Sequence, residues 1–165
     1  MRVVAGEAGG LRLVAPEGSD VRPTSDRVRE AIFNALYSMG VIEDATVLDL
    51  FAGSGAMGIE ALSRGAAHAT FVERDPAAIA AIETNLSTTK LTDRATIVRT
   101  DAPSFIARDG DRFTLALLDP PYPFDGWDEL LAAVRADRVV IESDRSIALP
   151  PGWRLDREKA YGGTV

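Results

Sequence analysis

Four carboxylates recur in one kind of place. Asp49, Glu73, Asp101 and Asp119 each close, or directly follow, a short apolar run. An acid there can accept hydrogen bonds from hydroxyls and amines, or attract a cation. The first lies in Val47-Leu-Asp49-Leu-Phe51-Ala-Gly53-Ser-Gly55-Ala-Met-Gly58, a G-x-G-x-x-G match. Taken alone, this pattern places a dinucleotide pyrophosphate at a helix N-terminus. Asp49, at the mouth of the same turn, would repel a pyrophosphate. Glu73 follows Gly53 at roughly the 20-residue distance at which a carboxylate meets a ribose diol.

S-adenosylmethionine satisfies all of these groups at once. It has a ribose, an adenine, a sulfonium and an ammonium, and no phosphate. Asp49 attracts its ammonium, and Gly53 and Gly55 let the backbone approach its methionine part closely. Glu73 binds both ribose hydroxyls, and Asp101 accepts from the adenine amino group. Phe51 and Ser54 beside the glycines, and Arg74 and Ala102 next to the acids, complete the cofactor set. Any one of these acids could instead be a solvated helix N-cap; four in succession make that a poor account of them all.

Asp119-Pro120-Pro121-Tyr122 follows the apolar run Leu115-Ala-Leu-Leu118. The exocyclic amine of a base is a poor nucleophile, because its lone pair is delocalised into the ring. A carboxylate and a backbone carbonyl that accept its two N–H bonds turn that lone pair toward a methyl donor. Prolines fix φ and hence the direction of the carbonyl. Tyr122 offers a face on which an extruded base stacks. Asp119, Pro120 and Tyr122 are thus the candidate catalytic residues, and catalysis rests mainly on positioning.

The elements that must position these groups follow from periodicity. From Thr46 onward, apolar runs at about 46–51, 69–73, 95–99, 113–118 and 138–142 alternate with helical segments at about 56–64, 76–88, 101–108 and 126–136. Such alternation predicts a parallel sheet covered on both faces, with ligands at the carboxyl ends of its strands. Ahead of it, Val3-Val4 and Leu11–Val14 flank Gly9-Gly10 as a hairpin. Thr24 or Ser25 caps a helix whose apolar positions run from Val28 to Met39. After Trp153 the chain reads as one strand, the Gly162-Gly163 turn and the start of another, so the last strand is expected to be incomplete.

The 165 residues suit one domain, read as a β-hairpin extension over 1–22 and a catalytic domain over 23–165. There is no cysteine, no signal-peptide pattern and no membrane-length apolar run, which predicts a cytoplasmic protein. The lone His68 reads as a turn residue, and no metal site is expected. Net charge is -7, yet Arg2, Arg12, Arg22, Arg27 and Arg29 crowd the first 29 residues. They would form a basic patch if they share a face.

Arg22-Pro-Thr24-Ser-Asp-Arg27-Val-Arg29-Glu-Ala-Ile-Phe33-Asn34, together with Leu48–Gly55, Arg2-Val-Val-Ala-Gly6 and Tyr161-Gly-Gly-Thr164, resembles the RsmD-type bacterial 16S rRNA guanine-N2 methyltransferases. Asp-Pro-Pro-Tyr alone is shared with adenine and cytosine N-methyltransferases, whereas the Arg-Pro-Thr block is more specific. The resemblance implies a Rossmann-like class I methyltransferase fold, α/β, with a mostly parallel sheet of seven strands. It also implies Thr24 over the cofactor, Arg2, Arg12, Arg22 and Tyr122 against RNA, and a guanine of the small ribosomal subunit, or of its assembly intermediate, as target. A monomer is the expected state. The acidic pI of 4.7 suggests that ribosomal protein surface supplies part of the affinity.

Three rivals fare worse. An NAD-dependent oxidoreductase needs a pyrophosphate beside Asp49 and leaves Asp119-Pro-Pro-Tyr122 unused. A non-catalytic binding module of the same fold has no need of Asp119 and Tyr122. A DNA adenine or cytosine methyltransferase needs a target-recognition segment for which this length leaves no room.

Overall fold

The computed structural model describes residues 1–18, 24–121 and 124–165. Arg22 and Tyr122, two of the expected site residues, lie outside the described residues.

Five parallel strands form one sheet in the order β3-β2-β1-β4-β5. They are β1 (Thr46–Asp49), β2 (His68–Glu73), β3 (Ala95–Arg99), β4 (Phe113–Leu118) and β5 (Ala136–Ile141). The order reverses at β1: the chain walks outward through β2 and β3, then returns to the other side of β1 as β4. Two adjacent strands whose connections leave in opposite directions open a crevice at their carboxyl ends. Asp49 ends one of these strands, and Asp119 follows the other.

Period-two alternation sorts the strand side chains between two cores. Val47, Phe71, Leu115 and Leu117 pack with Phe33, Leu36, Met57, Ile59, Leu62, Ile82 and Leu86. Those partners come from the helices α1 (Asp26–Ser38), α2 (Ala56–Ser63) and α3 (Pro76–Thr89). Leu48, Val72, Ala116 and Leu118 pack on the other face with Trp127, Leu130 and Leu131. These belong to α5 (Trp127–Ala133); α4 (Ala102–Ile106) lies on the same face and contributes Ala102. The three central strands are therefore buried on both sides, which is why they read as nearly continuous apolar runs, whereas the outer strands β3 and β5 are only partly buried.

Local chemistry sets the helix starts. Ser25, not Thr24, caps α1 through Val28 N–H at 3.2 Å. Asp75 caps α3 ahead of Pro76. Gly55 starts α2 at φ 81°, a left-handed conformation that suits glycine. Gly58 serves packing instead: a Cβ there would stand 2.4 Å from Phe71 Cε1.

The N-terminal segment is pinned to the helices. Arg2 pairs antiparallel with Arg12, and Val3 N–H donates to Leu11 O at 3.0 Å. The connection spans Val4 to Gly9 rather than a tight Gly9-Gly10 turn, because α2 holds that loop. The amides of Val4 and Ala5 donate to Glu60 Oε1 and Oε2 at 2.8 and 3.1 Å, and Ala8 N–H donates to Ser63 Oγ at 2.9 Å. Asn85 on α3 accepts from Val14 N–H at 2.8 Å and donates to Val14 O at 2.9 Å. Val3, Ala8 and Leu13 join the α1–α3 core.

Three expectations are corrected. The sheet of the described residues has five strands, not seven. Residues 153–160 run without regular structure, and pairing resumes only at the Tyr161–Thr164 bridge and between Ser143 and Val165, whose amides exchange hydrogen bonds at 2.7 and 2.9 Å. The charges of Arg154, Asp156, Arg157, Glu158 and Lys159 leave this stretch little apolar surface to bury, so a groove of about 740 Å³ remains between α1, β5 and the C-terminal segment. His68 opens β2 instead of lying in a turn, with Nε2 3.0 Å from Thr96 Oγ1 on the neighbouring strand.

Candidate active site at the carboxyl ends of the strands

Asp49 is buried at the end of β1, and its Oδ2 accepts Gly58 N–H at 3.0 Å. It thereby ties the first turn of α2 to the sheet and shapes the glycine turn between them. Burial pushes its carboxyl up to about 7 against the lowering effect of the Gly58 bond, and the charge of Glu73 adds to the rise. A Cβ on Gly53 would meet nothing within 4 Å, so the turn presents bare backbone to open space. Ser54 O, on the same turn, accepts from Asn85 Nδ2 at 2.9 Å.

Glu73 is half-buried at the end of β2, where Oε2 accepts the amide of exposed Arg74 at 3.3 Å. Burial raises its carboxyl above the ordinary range. Asp101 differs from both. It caps α4, taking Ser104 N–H at 2.8 Å and Ser104 Oγ–H at 2.9 Å, and these bonds lower its carboxyl. Both of its oxygens are engaged in the cap, so the helix-cap reading holds for this acid, and acceptance from an adenine amine would compete with Ser104. Ala102, next to it, is buried.

Phe51 lies edge-on to Phe124 with centroids 5.6 Å apart, and Phe124 lies edge-on to Trp127 at 5.1 Å. This aromatic stack borders the Asp119 segment, where Pro121 O accepts Phe124 N–H at 3.1 Å. Pro120 is buried and Pro121 exposed.

Asp119 leaves β4 beside two groups from elsewhere. Thr24 Oγ1 lies 3.1 Å from its Oδ2, and 2.8 Å from both carboxylate oxygens of Glu142. Burial pushes the Asp119 carboxyl up to about 8, the charge of Glu142 adds to the rise, and Asp49 contributes less. Glu142 was missing from the sequence-derived set, yet it follows the apolar run Val139-Val-Ile141 as the other four acids follow theirs. Extending the same rule to one more strand finds it.

The early arginines behave differently from one another. Arg2 and Arg12 are exposed and directly paired, which puts them on one face of the hairpin. Arg29 is fully buried, paired with Glu60 at 3.3 Å and Asp26 at 2.8 Å, and bonded to Arg2 O. It is a structural anchor, so the early arginines do not form one patch.

The whole chain, residues 1–165, matches the family described as Conserved hypothetical protein 95. It is 38% identical over 172 residues to the Ribosomal RNA small subunit methyltransferase D of Escherichia coli, covering 98% of this chain and 85% of that one. It is 32% identical to the protein of the same name from Haemophilus influenzae, covering 98% and 89%. The solved structure of the E. coli protein yhhF superposes with a TM-score of 0.86 at 39% identity, covering 99% of this chain and 93% of that one. With the crevice, the glycine turn and Asp119-Pro120 in place on this sheet, the chain belongs to that family, the RsmD-type methyltransferases.

Proposed function

We propose that this protein transfers a methyl group from S-adenosylmethionine to the exocyclic N2 amine of a guanine in 16S rRNA, within the small ribosomal subunit or its assembly intermediate. The observation that carries this reading is the placement of Asp119-Pro120 at the end of β4, directly across the switch point from the glycine turn after β1. Small-subunit rRNA is the substrate named for relatives that match nearly the full chain.

The residues present suit the cofactor. The turn at Gly53 has room for a ligand against bare backbone, and the acids Asp49, Glu73 and Asp101 disfavour a phosphate. Thr24, Asp49, Phe51, Gly53, Ser54, Gly55, Glu73, Arg74, Asp101 and Ala102 would surround it. When bound, S-adenosylmethionine supplies an electrophilic methyl group on a sulfonium.

The protein supplies placement. Asp119 accepts one N–H of the amine, and the Pro120 carbonyl, its direction fixed by the proline pair, accepts the other. The nitrogen lone pair then points into the crevice. Asp119 also stabilises the positive charge that grows on the nitrogen, in a site that partly excludes water. Tyr122 stacks on the base, and Arg2, Arg12 and Arg22 meet phosphates. Among the described residues no helix is long and apolar enough to cross a membrane; a cytoplasmic monomer without a metal fits the substrate.

The test is nucleoside mass spectrometry after incubating unmodified 30S particles with the protein and isotopically labelled S-adenosylmethionine. N2-methylguanosine is expected. Label in N6-methyladenosine would favour an adenine target, and an unlabelled digest would overturn rRNA methylation.

A further inference from the structure

Glu142 is absent from the chemistry described so far, yet it lies beside the residue on which that chemistry turns. In the β4–β5 register Leu118 pairs with Ile141. The next residue on each strand, Asp119 and Glu142, is therefore brought to its neighbour by the parallel ladder itself. Glu142 N–H donates to Leu118 O at 2.9 Å, which holds this pairing one residue past the strand. Glu142 is 6% exposed. Thr24, directly before the cap of α1, closes the group with its hydroxyl 2.8 Å from both Glu142 oxygens and 3.1 Å from Asp119 Oδ2.

The donors do not suffice for two charged acids. A threonine hydroxyl has one proton to give, and here it faces two carboxylates. Adjacent buried carboxylates repel when both are ionised. The arrangement is satisfied when one of the two acids carries a proton. The charged groups facing them are Asp49 from the end of β1, which raises Asp119, and Arg29 from α1, which draws Glu142 down. Arg29 already pairs with Asp26 and Glu60, so its charge is shared. Burial is the main cause that pushes both acids upward.

We propose that Glu142 and Thr24 are positioning residues for Asp119: beside the Thr24 hydroxyl the two acids hold one proton between them, which fixes Asp119 Oδ2 and leaves Oδ1 to receive the target amine. This rests on the methyl-transfer reading above. The competent pair of acids carries a single proton. Adding a second neutralises Asp119, and removing the first sets two charges against each other. Turnover should therefore follow a bell-shaped pH profile. Glu142→Gln supplies an amide donor in place of the shared proton. It should remove the alkaline limb, there being no shared proton to lose, and keep the acid limb on which Asp119 takes a proton.

The experiment has two arms. In the first, ligand-free protein labelled with ¹³C at its carboxyl carbons is titrated by NMR. The Asp119 and Glu142 signals should together show one step well above the ordinary carboxylate range in wild type, which belongs to the pair, and that upper step should be lost in Glu142→Gln. In the second, single-turnover methyl transfer to 30S particles is followed across pH. Wild type should lose about tenfold per pH unit beyond its alkaline inflection, while Glu142→Gln stays level there. Thr24→Val keeps shape without the hydroxyl and guards against a misfolded Glu142 variant; it should slow transfer about tenfold or more, with Thr24→Ser recovering most of the loss. Asp119 and Glu142 signals that both titrate fully within the ordinary range overturn the proposal, as does a Glu142→Gln profile that superimposes on wild type. A wild-type protein that methylates no 30S particle overturns the functional reading instead, and the carboxyl titration still decides whether the proton is shared.

Discussion

Asparagine at position 119 keeps the shape of the side chain and removes its charge. Its oxygen accepts more weakly, and a wrongly turned NH2 would face the target amine donor to donor. Losing a preorganised electrostatic interaction of this kind costs about 10²–10³ in rate. Asp119→Asn should therefore bind S-adenosylmethionine much as wild type does, and transfer methyl groups at least a hundredfold more slowly. Single-turnover transfer at saturating protein measures it; a variant within threefold of wild type would make Asp119 a turn residue. The place of Asp119 at the end of β4 was legible in the sequence because its signal is local: an apolar run, an acid and two prolines. Its partners were not. Thr24 is distant in sequence and meets Asp119 only through the fold, and no spacing encodes that meeting. Asp101 shows the opposite case, since one acid satisfies both the helix-cap and the ligand pattern, and only the Ser104 bonds reveal the cap.

At the scale of elements, the strands and helices from Thr46 to Ile141 could be read closely because the central strands β1, β2 and β4 are buried on both faces and the intervening helices begin at proline, glycine or aspartate signals. The start of β5 was harder to place, because Ala136–Arg138 continues the polar and alanine pattern of α5. Gly58 tests how closely α2 must approach the sheet. Alanine there drives a methyl group into the Phe71 ring and crowds Asp49 Oδ2 at 3.2 Å. Overpacking of this sort costs about 1–3 kcal/mol, so urea unfolding of Gly58→Ala should show that loss, together with weaker S-adenosylmethionine binding as the glycine turn shifts. Unchanged stability and binding would mean that α2 can retreat freely. The hairpin gives a separate test. Arg2 and Arg12 share an exposed face, whereas the backbone around them is held by Asp26, Glu60 and Asn85. Replacing both with alanine should leave the fold and cofactor affinity intact, reduce 30S methylation and lower the slope of its salt dependence by about 1–2, one for each phosphate no longer neutralised. Methylation equal to wild type across a salt series would exclude the hairpin as an RNA-binding arm.

The whole molecule gathers acids at one end of its sheet, and this has a thermodynamic consequence. Asp49, Glu73, Asp119 and Glu142 all titrate above their ordinary values, chiefly because folding buries them. Between the ordinary carboxylate range near 4 and the folded values of about 7 for Asp49 and about 8 for Asp119, the folded ligand-free protein holds more protons than the unfolded chain. Stability must then fall as pH rises through that window and level off above it, by at most about 1.4 kcal/mol per pH unit for each proton in excess. Asp26 and Asp101 have the opposite sign: lowered on folding, they contribute stability above the ordinary range that is lost only as pH drops below it. The two effects occupy separate windows. Urea midpoints of the ligand-free protein should therefore decline from pH 5 to pH 8. Asp49→Asn should flatten the decline, because that residue is wholly buried and its charge is the one least screened by water. Saturating S-adenosylmethionine should flatten it as well if its ammonium lies near Asp49, since a ligand that favours the ionised acid lowers the proton excess. A midpoint that stays level or climbs over this range would mean that the acids at the strand ends ionise without cost in the empty protein, and that the crevice is not held ready for a cation.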